Sequence, residues 1–228
     1  MRRETLASLN AARRVGRAIV RATDLKTGDE IVLDPTSDVT PLGTVAALAA
    51  RADQSTTIEL DGRSWFLAVY NPPLDLVIVG AVHIAQPLAR MAALAGYGVR
   101  VIDPRTSFAT PERFPDVQLS HDWPDDALAK SPLGPRSALV ALTHDPKVDD
   151  SALTMALHSD CFYIGALGSK KTHAARLARL EQNGFSTEQL ARICGPAGFA
   201  IGAKSPAEIA VSILAQMTAA LRQGALKP

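Results

Sequence analysis

The chain has 228 residues, 47% of them hydrophobic and only 5% aromatic, so it can bury a full core built mainly from Ala, Leu, Val and Ile. A formal charge of +1 supplies no general field to draw it onto nucleic acid or an anionic membrane, and neither is expected as a partner. No apolar run reaches the roughly 18 residues of a membrane span, the MRRETLASLNAARR start lacks an apolar signal region, and Cys161 and Cys194 fit neither a disulfide framework nor a metal spacing; a cytoplasmic protein without a metal site is expected.

In chain order, residues 4–14 suit a short helix with Leu6, Leu9 and Val15 on its apolar side. AIVRATD (18–24) and EIVLD (30–34) suit two strands joined through Lys26, Thr27 and Gly28. TVAALAARA (44–52) suits a helix, and Asp61-Gly62 marks a hairpin between TTIEL and SWFLAVY. Residues 1–71 are therefore expected to form a small α+β domain, ended by Pro72-Pro73.

From Leu74 strands and helices alternate. LDLVIVG is an unbroken apolar run, as a strand buried on both faces requires. AQPLARMAALAGYG suits a helix and VRVID a second strand; a Pro-rich connection over 104–124 carries a short strand near DVQLS, and DDALAKS suits a helix. SALVALTHD, DDSALTMALHS, CFYIGALG and KKTHAARLARLEQNG follow as strand, helix, strand and helix. Ser205-Pro206 with Glu208 starts a last helix to about Arg222, whose stripe of Ile209, Ile213, Met217 and Leu221 points to core packing or to a dimer seam. Residues 74–228 are thus expected to be α/β: a Rossmann-like, doubly wound, mostly parallel sheet. Ligands of such sheets sit outside the carboxyl ends of the strands, so the residues there matter most.

The first of these strands ends in GAVHIA (80–85). Gly80 suits the tight turn of a dinucleotide fingerprint and Ala85 replaces its third glycine, but Val82 stands where the second would let a pyrophosphate approach. NAD(P) is therefore the lesser expectation. His83 suits a ligand contact or a hydrogen bond at the helix start. Asp103, ending the second strand, suits a ribose hydroxyl or a turn before Pro104, and Arg105 suits a phosphate or carboxylate. Thr143, His144 and Asp145 cluster after the fourth strand. His144 with Asp145 could form an acid–base pair or supply metal ligands, or Asp145 could cap the next helix. Two candidate ligands are too few to make a metal site, and no catalytic residue is assigned.

GALGSKKTH (165–173) is the most informative stretch. Gly165 and Gly168 free the backbone, Ser169 opens a helix, and the amides there attract anions. Lys170 and Lys171 lie at the helix end where cations are unfavourable, which an anionic guest would remedy. The Walker A spacing is absent. His173, Arg176 and Arg179 extend the basic character along one side of that helix. Cys194 suits a small buried residue better than a reactive thiol.

Taken together, GAVHIAQ, VIDPR, ERFPD, LTHDPK, YIGALGSKKTH and GPAGFAIGAKSPAEIA resemble, in the same order, the C-terminal Rossmann-like domain of the XdhC/CoxI accessory proteins of molybdenum hydroxylases. The resemblance covers residues 74–222. It implies a non-catalytic chaperone that binds molybdenum cofactor (molybdopterin) and assists its sulfuration and insertion into a hydroxylase of the xanthine dehydrogenase or carbon monoxide dehydrogenase type. It also implies self-association into a dimer or other homo-oligomer, and contact with a cysteine desulfurase-type sulfurase. The family's G-G-G-C segment is missing and Cys194 replaces a customary His, which implies a short form working beside a longer paralogue.

Overall fold

The structure is a computed structural model that describes residues 2–223. The chain divides into two compact units at Pro72–Pro73.

The first unit contains α1 (Arg3–Arg14), β1 (Ile19–Asp24), β2 (Glu30–Leu33), α2 (Pro41–Ala52), β3 (Thr56–Leu60) and β4 (Arg63–Tyr70). Its sheet is antiparallel, in the order β2-β1-β4-β3. Asp61 and Gly62 both take positive φ, 50° and 71°, the geometry that matches a two-residue hairpin to the twist of its strands. Thr40 caps α2 by accepting from the Gly43 amide, and Pro41 occupies the first turn. Val20, Ala22, Leu67 and Trp65 of the sheet pack with Ala46 and Ala49 of α2. On α1 the inward stripe is Thr5, Leu9 and Ala12, while Leu6 and Val15 are exposed. The expected stripe is corrected on two counts: Leu6 lies about 100° round the helix from Thr5, and Val15 falls beyond its last turn.

The second unit runs β5 (Leu74–Val79), α3 (Ala85–Leu94), β6 (Tyr97–Ile102), β7 (Gln118–Ser120), α4 (Pro124–Lys130), β8 (Ser137–Ala141), α5 (Pro146–Leu157), β9 (Tyr163–Ala166), α6 (Lys170–Gln182), α7 (Thr187–Leu190), β10 (Ile193–Cys194) and α8 (Pro206–Gln223). All six strands are parallel, in the order β10-β9-β8-β5-β6-β7. The chain winds outward from β5 through β6 and β7, then returns to β8 on the other side. This is the doubly wound Rossmann order, with its switch point between β5 and β8.

Alternate residues of β5 serve opposite layers. Leu76 and Ile78 pack with Leu88 of α3 and with Ile213 and Met217 of α8. Val77 and Val79 pack with Leu128 of α4, Leu153 of α5 and Leu180 of α6. Two covered faces explain the unbroken apolar run. Within the α8 stripe Ile213 and Met217 are fully buried and Ile209 and Leu221 partly so, all on the α3 side of the sheet. α7 and β10 lie outside the sequence expectations; β10 has two residues, too few to show a period, and pairs Ile193 with Ile164 and Cys194 with Gly165. Among the described residues no helix is long and apolar enough to cross a membrane.

Candidate functional site

Four turns at the carboxyl edge of the parallel sheet make up the candidate site. The first follows β5. Gly80 has φ 104°, and a Cβ there would stand 2.6 Å from Cγ2 of Thr143, so only glycine lets the turns after β5 and β8 close on the switch point. Ala81 donates its amide to Asp103 Oδ2 at 2.8 Å. The amides of Val82, His83 and Ile84 then lead into α3 without an acceptor among the described residues. The His83 ring is exposed and makes no hydrogen bond, so the alternative in which it caps the helix is set aside. Val82 packs partly against the core, so its bulk is only in part directed at the crevice.

The second turn follows β6. Asp103 is 0% exposed, and both of its oxygens are engaged. Oδ1 accepts from the Arg105 amide and Nε at 3.0 and 2.9 Å, and Oδ2 accepts from Arg105 Nη2 at 2.8 Å beside the Ala81 amide. Burial pushes the Asp103 carboxyl up, but the hydrogen bonds from Arg105 and Ala81 outweigh it and hold it below the ordinary value. The same bond raises Arg105. The guanidinium lies 4.3 Å over the Phe108 ring and its side chain stays 40% exposed. The residue placed to grip a ribose is thus consumed within the protein, and the group offered outward is a cation.

The third turn, after β8, is fixed from below by Asp149, buried on α5. Its Oδ1 accepts from the Thr143 amide and hydroxyl at 3.1 and 2.6 Å, and its Oδ2 accepts from the His144 amide at 3.1 Å. These bonds hold His144 at φ 63° with its ring exposed. Asp145 caps α5, accepting from the Lys147 amide at 3.0 Å. Capping is therefore the part that Asp145 plays, and no hydrogen bond pairs its carboxylate with His144. No cluster of three or more His, Cys, Asp or Glu suited to a metal occurs among the described residues.

The fourth turn follows β9. Gly165 lies under the Tyr163 ring, where a Cβ would stand 2.8 Å from the ring. Gly168 takes φ 143°, and Ser169 caps α6 by accepting from the Thr172 amide at 3.1 Å. The amides of Gly168, Ser169, Lys170 and Lys171 find no acceptor, and both lysine side chains are exposed without a partner among the described residues. The expected basic side of α6 is corrected. Arg176 is 2% exposed, and Arg179 is paired with Asp150 at 2.6 Å. Arg176 sits on the buried face one turn before Leu180, where helical periodicity places core. His173 is half-buried against Gly195, and burial together with Arg176 lowers its pKa. Cys194 is half-buried and Cys161 buried, and burial raises both thiols.

Sequence reasoning misses Asp149 and Arg176 as site residues. The signal it could have used is the charge itself: each occupies a position that the apolar pattern of its helix assigns to the interior.

Fold and edge define a Rossmann-type domain whose carboxyl side presents free amides and cations. The chain belongs to the XdhC family: the XdhC Rossmann domain matches residues 76–217. It is 33% identical over 153 residues to a probable xanthine dehydrogenase subunit of Bacillus subtilis (strain 168), covering 67% of this chain and 44% of that one. It is 30% identical over 148 residues to the molybdenum cofactor insertion chaperone PaoD of Escherichia coli (strain K12), covering 65% and 40%. The crystal structure of a xanthine dehydrogenase from Bacillus halodurans is similar with a TM-score of 0.71 and 26% identity, over 97% of this chain and 67% of that one. The chain thus spans less than half the length of these two curated relatives.

Proposed function

We propose that this chain binds molybdenum cofactor as cargo and assists its sulfuration and insertion into a molybdenum hydroxylase of the xanthine dehydrogenase or carbon monoxide dehydrogenase type. One observation carries the choice of ligand: Asp103 is buried and saturated by Arg105 and the Ala81 amide, so the edge offers Arg105, Lys170, Lys171 and two sets of free amides to an anion. A molybdopterin carries a phosphate and fits that chemistry. An NAD ribose seeks a free carboxylate at the end of the second strand of the fold and finds none. Gly80, His83, Arg105, Thr143, His144, Gly168, Ser169, Lys170 and Lys171 line the proposed cargo site, with the buried Asp103 shaping it from within and Asp145 capping α5 at its rim. The two curated relatives, one named as an insertion chaperone and one as a probable hydroxylase subunit, support the reading. The hydroxylase, a cysteine desulfurase-type sulfurase and a longer paralogue are the proposed partners, with the chain acting as a homo-oligomer in the cytoplasm.

The strand order alone favours a second reading, an NAD(P)-dependent oxidoreductase. Equilibrium titration of the purified chain separates the two. Molybdopterin extracted from a molybdoenzyme should bind and be retained through gel filtration, while NAD and NADP should not compete. Tight NAD or NADP binding, with no uptake of molybdopterin, would overturn the carrier reading.

A further inference from the structure

Asp149 and Arg176 are both buried, at 1% and 2% exposure, and belong to neither exposed turn. Each nevertheless holds one of them. Asp149 receives both amides and the hydroxyl of the Thr143–His144 turn. Arg176 donates Nη2 to the carbonyl of Leu167, at the base of the Gly168–Lys171 turn, at 2.9 Å. The two side chains meet at 3.7 Å, Arg176 Nη2 to Asp149 Oδ2. Arg176 Nε and Nη1 have no acceptor. A buried guanidinium left with two idle donors is costly, and an apolar residue would serve packing better at that position. What the charge achieves there is a connection between the β8 and β9 turns that no apolar side chain supplies.

We infer that Asp149 and Arg176 are a pair of positioning residues that tie the β8 turn to the β9 turn, so that the conformation of one sets that of the other. Removing Arg176 strips Asp149 of its counter-charge and loosens the far turn as well as its own; removing Asp149 does the converse. What this does for a guest rests on the proposed function, because the same tie would let an anion held at Lys170 and Lys171 order Thr143 and His144. The tie between the turns stands without it.

Residue-resolved amide exchange by NMR on the full chain tests the tie. The Thr143 and His144 amides are protected by Asp149, and the Leu167 amide by the Ala141 carbonyl at 2.9 Å. Arg176→Met should accelerate exchange at Thr143 and His144 at least fivefold, and Asp149→Asn should do the same at Leu167, with the Val77 and Ile78 amides unchanged after scaling to global stability. Arg176→Lys, which keeps the charge but not the fork, covers the case in which the methionine variant fails to fold, and should show the same crossing effect at reduced size. Acceleration confined to the turn nearest each substitution, or equal at every amide, overturns the inference. Pyrophosphate added to wild type should slow exchange in both turns. Crossing effects in the variants with no protection by pyrophosphate would retain the tie and count against the anion-binding reading alone.

Discussion

A β-carbon on Gly80 would lie 2.6 Å from Cγ2 of Thr143 and 3.1 Å from its amide nitrogen. Two turns separated by more than sixty residues in sequence are packed backbone to side chain at the switch point of the sheet. Gly80→Ala should therefore lose roughly 3 kcal/mol, combining a strained φ with a clash against the Thr143 methyl and a tight approach to its backbone nitrogen. Gly96 has φ 89° but open space around its Cα, so Gly96→Ala isolates the strain and should lose about 1 kcal/mol. Urea unfolding of both variants checks the difference; equal losses would show that the close approach carries no weight.

Asp103 gives a pH signature. Its folded pKa lies below the ordinary carboxylate value of 3.8, so its stabilising contribution is complete above that pH and is lost as pH falls through the lower folded value. In Asp103→Asn, stability plotted against pH should lose part of its fall below about pH 4, while stability at pH 7 drops by about 2–3 kcal/mol as the charged bonds to Arg105 and Ala81 weaken. Superimposable acid limbs for wild type and variant would contradict the account.

Lys170 and Lys171 oppose the dipole of α6 without a partner among the described residues. Replacing both by alanine should raise the thermal midpoint slightly and weaken molybdopterin or pyrophosphate binding roughly tenfold or more. A lower midpoint with unchanged affinity would make them structural and exclude them from the site.

The two thiols should be slow to alkylate. Burial raises both, so the thiolate is scarce at neutral pH. Iodoacetamide at pH 7.5 should modify Cys161 and Cys194 at least tenfold more slowly in the native chain than in urea, with Cys161 the slower. Rapid native modification of Cys194 would reopen a chemical role for it.

Much of the fold is legible because local pattern and tertiary context agree. LDLVIVG declares a doubly covered strand through its unbroken apolar run, and Asp61-Gly62 declares a hairpin because few other pairs accept two positive φ values. α1 is legible as a helix but not in its inward face, since Thr5 and Ala12 are weak apolar markers beside Leu6 and Val15. β10 is silent because two residues carry no period. At the carboxyl edge, the glycines and lysines of the β9 turn are visible as types, whereas Gly165 proves to make room for the Tyr163 ring. Arg176 reads from the sequence as part of a solvated basic side, because a charge at a core position is rare enough that surface is the default expectation.

By itself the sequence determined the order of the strands and helices apart from α7 and β10, the burial of the β5 strand on both faces, and which residue types stand after each strand, because these follow from spacing along one chain. Which of those residues are free was decided only by the tertiary structure. Asp103 and Arg105 are near neighbours in sequence, yet only the arrival of the Ala81 amide from the turn after β5 completes the carboxylate's partners and turns the guanidinium into the group on offer. Hydrogen-bond saturation is a property of what surrounds a group in space, and a linear pattern does not carry it.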